Sequence, residues 1–140
     1  MKKISISILA VMMCMMCLLA FTACQNSPYV GTYEMVSISG TMTVYGQTIK
    51  LTKDLYEYYR ITLNEDGTAK VQSKAVNNTT AIEADGTWEF VDGKIFLKST
   101  TSGITTVEEM TWEDGVITYS ANQSAQGISM EMTIVLEKQQ

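Results

Sequence analysis

Fourteen consecutive residues, Asp85-Gly86-Thr87-Trp88-Glu89-Phe90-Val91-Asp92-Gly93-Lys94-Ile95-Phe96-Leu97-Lys98, hold two strand patterns and two turn signals. That density of punctuation constrains the fold more than anything else in the chain. Trp88 and Phe90 fall on one face of a period-two segment, with Thr87 and Glu89 on the other. Asp92-Gly93 then supplies the positive φ that a tight hairpin turn needs, and Ile95 and Leu97 resume the alternation. The same Asp-Gly device recurs at Asp66-Gly67 and Asp114-Gly115. Strand follows strand with a turn between.

The rest of the chain extends the pattern. Gly31 to Ile38 has the β-branched and aromatic content of a first strand, and Ser39-Gly40 is expected to bend the chain after it. Thr41 to Leu51 reads either as a second strand turning at Gly46 or as a loose return. Leu51, Leu55 and Tyr58 or Tyr59 recur at helical spacing behind Thr52, with Asp54 in the first turn, so one short helix is predicted over Lys53 to Tyr58. Arg60 to Leu63 and Thr68 to Val71 alternate on either side of Asn64-Glu65-Asp66-Gly67. The polar run Ser73 to Ile82 reads as a hairpin end; its two overlapping glycosylation acceptors, Asn77 and Asn78, matter only in a eukaryotic secretory pathway. Ser99 to Thr106 reads as a turn flanked by exposed strand, and Met110 and Trp112 alternate into Glu113-Asp114-Gly115. The final strand is the clearest: Ile128, Met130, Met132, Ile134 and Leu136 share one face, Ser129, Glu131, Thr133 and Glu137 the other. Seven to nine such strands predict an all-β, antiparallel up-and-down meander closing into a barrel or half-barrel, with one short helix. An eight-stranded barrel either fills its interior or holds one small ligand, and alternation alone leaves both open.

Ahead of this domain stands Met1-Lys2-Lys3, a mostly apolar run from Ile4 to Phe21, and Thr22-Ala23-Cys24. These are the charge, apolar body and small-residue exit of a secretory signal peptide, assigned to residues 1–23. An uncleaved span is the alternative; Ser5 and Ser7 dilute the run and no basic stop-transfer cluster follows it. Phe21-Thr22-Ala23-Cys24 resembles the lipobox of bacterial lipoproteins. That resemblance implies acylation of Cys24 with palmitate-type chains, residues 24–28 as lipidated cysteine and tether, and a β domain over 29–140.

Composition removes several classes of function. Histidine is absent, and with it the commonest general base and the commonest zinc ligand. Cys14 and Cys17 lie in the leader, so lipidation of Cys24 leaves no thiol for a disulfide or thiolate metal site. Setting Lys2 and Lys3 aside with the leader, eight basic residues face fifteen acidic ones, a net of about −7. So acidic a domain repels nucleic acid and anionic headgroups, which leaves any membrane attachment to the lipid at Cys24. No nucleic-acid partner and no cofactor are expected.

Gly31-Thr32-Tyr33, Leu63-Asn64-Glu65-Asp66-Gly67-Thr68, Gly86-Thr87-Trp88 with Asp92-Gly93-Lys94, and the closing alternation through Leu136-Glu137-Lys138 together resemble a group of small lipocalin-like bacterial lipoproteins. The resemblance implies a barrel or half-barrel on a lipid tether, on the outer face of the bacterial cell membrane, with no settled activity.

Candidate sites are few. Glu65-Asp66, Glu108-Glu109 and Glu113-Asp114 are adjacent carboxylates and read as solvated turn residues, since neighbours in a turn do not face each other across a sugar and none offers calcium-loop spacing. No catalytic or metal-binding residue is assigned, and no enzyme is expected. Trp88, Phe90, Met110, Trp112, Met130 and Met132 form an apolar set on alternating strand positions; they either fill the core or line a pocket for a small hydrophobic ligand. Tyr56, Tyr58, Tyr59 and Tyr119 are candidates to cap the barrel mouth or face a partner. Two functions remain in view, a tethered binder of a small apolar molecule and a surface interaction module that uses the barrel as scaffold.

Overall fold

Every paired strand in the computed structural model runs antiparallel to its neighbour, and the last strand returns to the first. Residues 27–140 are described; the expected signal peptide, 1–23, and the expected lipidated cysteine, Cys24, lie outside the described residues. The strands are β1 (Gly31–Val44), β2 (Gln47–Lys50), β3 (Tyr56–Leu63), β4 (Thr68–Ala75), β5 (Ile82–Val91), β6 (Lys94–Thr101), β7 (Ile104–Glu113), β8 (Val116–Ala125) and β9 (Ile128–Lys138). Around the ring the order is β1-β3-β4-β5-β6-β7-β8-β9 and back to β1, with β2 as a side strand on the far part of β1. The molecule is an up-and-down, lipocalin-like barrel of eight strands.

Turn chemistry fixes these registers. Asp92-Gly93 and Asp114-Gly115 both have two successive positive φ values, the type I′ geometry whose twist matches that of paired strands. Tyr45-Gly46, Ser102-Gly103 and Gln126-Gly127 adopt the same geometry with less obvious residues in first place. At Asn64–Gly67 only Gly67 is left-handed, and the Asp66 carboxylate holds the loop by accepting from Thr68 N at 2.9 Å and Thr68 Oγ1 at 2.6 Å. Those bonds hold the Asp66 carboxyl below the usual carboxylate range.

Two expectations change. Only Lys53–Leu55 is helical, as a single 3-10 turn closed by Leu55 N donating to Thr52 O at 3.1 Å, and Tyr56 already belongs to β3. Thr52 makes no side-chain cap, and Tyr56 and Tyr59 pack against the core from an extended segment, which suits their β preference better than a solvated helix does. The second change is at Gly40, which does not end β1. A Cβ at this position would collide with the Glu131 carbonyl oxygen, so glycine lets β1 and β9 pass in close contact while β1 continues to Val44. Thr41 to Leu51 is thereby settled as a hairpin.

The ring is not uniformly closed. β7 pairs with β8 only from Thr111 to Glu113, and β1 with β3 only from Gly31 to Glu34. Both short ladders lie at the same end, so two half-sheets, β3 to β7 and β8-β9-β1-β2, meet there and separate toward the other. At the joined end the core is dry: Tyr33, Ile61, Leu63, Ile95, Leu97, Met110, Ile117 and Leu136 are at most 2% exposed. At the other end the inward positions Ile104, Thr106, Gln123 and Ile128 all reach solvent.

Candidate functional site

The joined end is plugged by aromatic rings. Tyr29 stacks on Phe90 with centroids 3.8 Å apart and meets the edge of Trp112 at 4.6 Å. Trp112 Nε1 donates to the Tyr33 hydroxyl at 2.9 Å, and that hydroxyl donates in turn to Tyr29 O at 2.7 Å. Trp88 Nε1 donates to Asn64 O at 2.9 Å, tying β5 to the β3–β4 loop. Both indoles and the Tyr33 phenol at this end have a partner for their polar atoms, as such rings require when covered. Met110 lies under them, 2% exposed.

Trp88, Phe90, Met110 and Trp112 thus stand together, in the plug and the core beneath it. Met130 and Met132 stand apart from them, in the half of β9 that runs toward the open end, where Met130 pairs with Met42 of β1 and Met132 with Gly40. Met42 and Met130 line a depression of about 310 Å³ with Tyr45, Gln123, Ala125 and Ile128. A second depression of about 250 Å³ occupies the gap between β1 and β3, lined by Met35, Lys53, Tyr56 and Tyr59 among others.

Polar groups enter the lumen from β3, β7 and β8. Glu108 pairs with Leu97, so its side chain shares the inward face of that buried leucine. Glu109 points outward and pairs with Lys94 of β6. The two glutamates are therefore not a turn pair as their adjacency suggested, because β7 runs straight through them. From β8 the Tyr119 hydroxyl donates to Glu108 Oε1 at 3.2 Å, across the seam where the strands have separated. Tyr59 of β3 pairs with Ser73 on the inward face two residues before buried Ile61.

Burial raises the Glu108 carboxyl above the usual range, partly offset by the Tyr119 hydrogen bond. Burial, and then the Glu108 charge, push the Tyr119 phenol up to about 12. The Tyr59 phenol is raised as well, first by burial and then by Glu108, Tyr119 and Tyr56. Three phenols and one carboxylate thus share a low-dielectric space. The Tyr59 and Tyr119 phenols therefore keep their protons near neutrality and can donate to a ligand, with the Glu108 carboxyl as an acceptor beside Tyr119. Among the described residues no cluster of three or more potential metal ligands occurs.

The inward glutamate is the feature most easily missed in the sequence. Glu108, Met110 and Trp112 do share one parity, and extending that alternation two residues back from Met110 would have found it. Comparison with protein-family models, curated protein sequences and solved structures finds no match to this chain.

Proposed function

We propose that this chain is a bacterial lipoprotein, cleaved before Cys24 and acylated there, whose barrel is a non-enzymatic binder of a small, mainly apolar molecule. The binding site is the open half of the lumen, between the two half-sheets. The observation that carries this reading is the solvent-accessible methionine wall around Met42 and Met130, in a barrel whose other half is filled. Chain geometry adds a direction. Ser27 lies at the plugged end, where Lys138 Nζ donates to Pro28 O at 3.0 Å, and three residues span at most about 10 Å. A lipid at Cys24 would keep the plug near the bilayer and turn the open end away from it.

Native mass spectrometry of the chain extracted gently from cells tests the binding. A companion mass that is lost on denaturation is expected, together with a mature N-terminus at acylated Cys24. A bare chain that also fails to take up an apolar probe such as octanol would overturn the ligand, and a mature N-terminus elsewhere would overturn the anchor.

One observation favours the second reading, a surface module docking a protein. Tyr45, Val76, Ile82, Ile104 and Val107 are more than half exposed and all lie toward the open end. Cross-linking on intact cells through that rim, with a single partner recovered and no small molecule bound, would favour the module over the binder.

A further inference from the structure

Resting on the binding site proposed above, the chemistry of its polar wall narrows the class of ligand. Glu108 is a half-buried carboxylate facing the lumen, and among the described residues no lysine or arginine pairs with it; the ion pairs involve Glu34, Glu57, Glu83, Asp85 and Glu109 instead. Its single hydrogen bond, from Tyr119, reaches Oε1, and Oε2 has no protein donor. Its half-burial strips part of the carboxylate's hydration while leaving Oε2 open to the lumen, so a donor that brings positive charge would gain there more than it would on the outer surface. Tyr119 and Tyr59 stand by it, and their electron-rich faces attract cations; Met42, Met130 and Met132 pack against the same core.

We propose that the open half of the barrel takes an amphiphilic amine, its ammonium donating to Glu108 among Tyr56, Tyr59 and Tyr119 and its alkyl chain lying toward Met130 and Met132. A fatty carboxylate is the wrong charge for this wall and for a domain with a net of about −7. A bare metal ion lacks ligands, since among the described residues Glu108 belongs to no group of three or more acidic or thiolate side chains. An alkylammonium satisfies the carboxylate and the apolar wall together.

The test uses the full chain in lipid nanodiscs, with empty nanodiscs as the blank, titrated calorimetrically with octylammonium, 1-octanol and octanoate. Octylammonium should bind about tenfold or more tighter than octanol, the scale of one charge-assisted hydrogen bond, and octanoate should show no saturable binding. Glu108→Gln keeps the shape and an acceptor for Tyr119, and should bring octylammonium to the level of octanol. Glu109→Gln, on the outer face of the same strand, should leave the order unchanged. Equal binding of octylammonium and octanol by the unmodified chain overturns the amine while sparing the apolar site, and this comparison needs no variant to fold. Tight octylammonium binding that survives Glu108→Gln removes Glu108 as the recognition group. Absence of saturable binding by all three probes overturns both the amine and the site.

Discussion

The two ends of this barrel are made from the same strands and do different work. At the plugged end, inward positions carry Tyr33, Leu63, Leu97, Ile117 and Leu136, and the ladders run unbroken around the ring. At the open end the same strands present Thr106, Gln123 and Met130 inward, with Glu108 at the boundary beside Leu97, while β7 and β8 have parted. Stability is therefore concentrated at one end, and the other is free to hold groups that would be costly in a dry core. Separation along a strand does for this molecule what a separate domain does in larger ones.

The sharpest way to break that contrast is to remove side-chain volume at each end. Leu97→Ala should lose about 2–5 kcal/mol of unfolding free energy, since the site is sealed and cannot collapse fully. Met130→Ala, facing an accessible depression, should lose less than about 1.5 kcal/mol. Equal losses in urea titrations would mean that the open half is packed in solution.

Amide hydrogen exchange sharpens it next. Amides of β8 on the seam side between Ala121 and Ala125 should exchange at least about tenfold faster than those paired at Ile117, a difference of about 1.4 kcal/mol in local opening. Uniform protection along β8 would close the seam. A smaller effect belongs to the plug: Trp112→Phe removes the donor to Tyr33, at a cost of about 1 kcal/mol. Thermal unfolding of the variant indistinguishable from that of the unmodified chain would show the bond to be dispensable.

The smallest effect is the dependence on pH at Glu108. Its folded-state carboxyl titrates above its unfolded value, chiefly through burial, so ionisation costs stability as pH rises through that window. Glu108→Gln should therefore stabilise the free protein at pH 7 by about a few tenths of a kcal/mol, after allowance for solvent screening. The advantage should vanish as pH falls below the ordinary glutamate value. A variant less stable than the unmodified chain at pH 7 would show the carboxylate to be satisfied as it stands.

Much of this architecture is legible in the sequence, for reasons that are local. Asp92-Gly93 and Asp114-Gly115 announce their turns because both residue types tolerate positive φ, and the face holding Ile134 and Leu136 announces itself by alternation. Tyr45, Ser102 and Gln126 adopt the same left-handed geometry without advertising it, because ladder pairing on both sides imposes it. Alternation placed Trp88, Phe90, Met110, Trp112, Met130 and Met132 on the inward face. Which end of the barrel each occupies depends on strand direction and stagger, so the plug could not be told from the depression. Glu108 was obscured by Glu109, since two adjacent charges look solvated unless the strand through them is already known.

The early end of pairing between β7 and β8 has a mechanical consequence. From Met110 to Ile104 the part of β7 paired with β6 but not with β8 is seven residues, about 23 Å long, and with its half-sheet it can turn about the Thr111–Glu113 ladder. A rocking of about 10° at that ladder would carry the tip through about 4 Å, a carbon chain's width, with the ladders inside each half-sheet intact. The aperture of this vessel is thus set at its base.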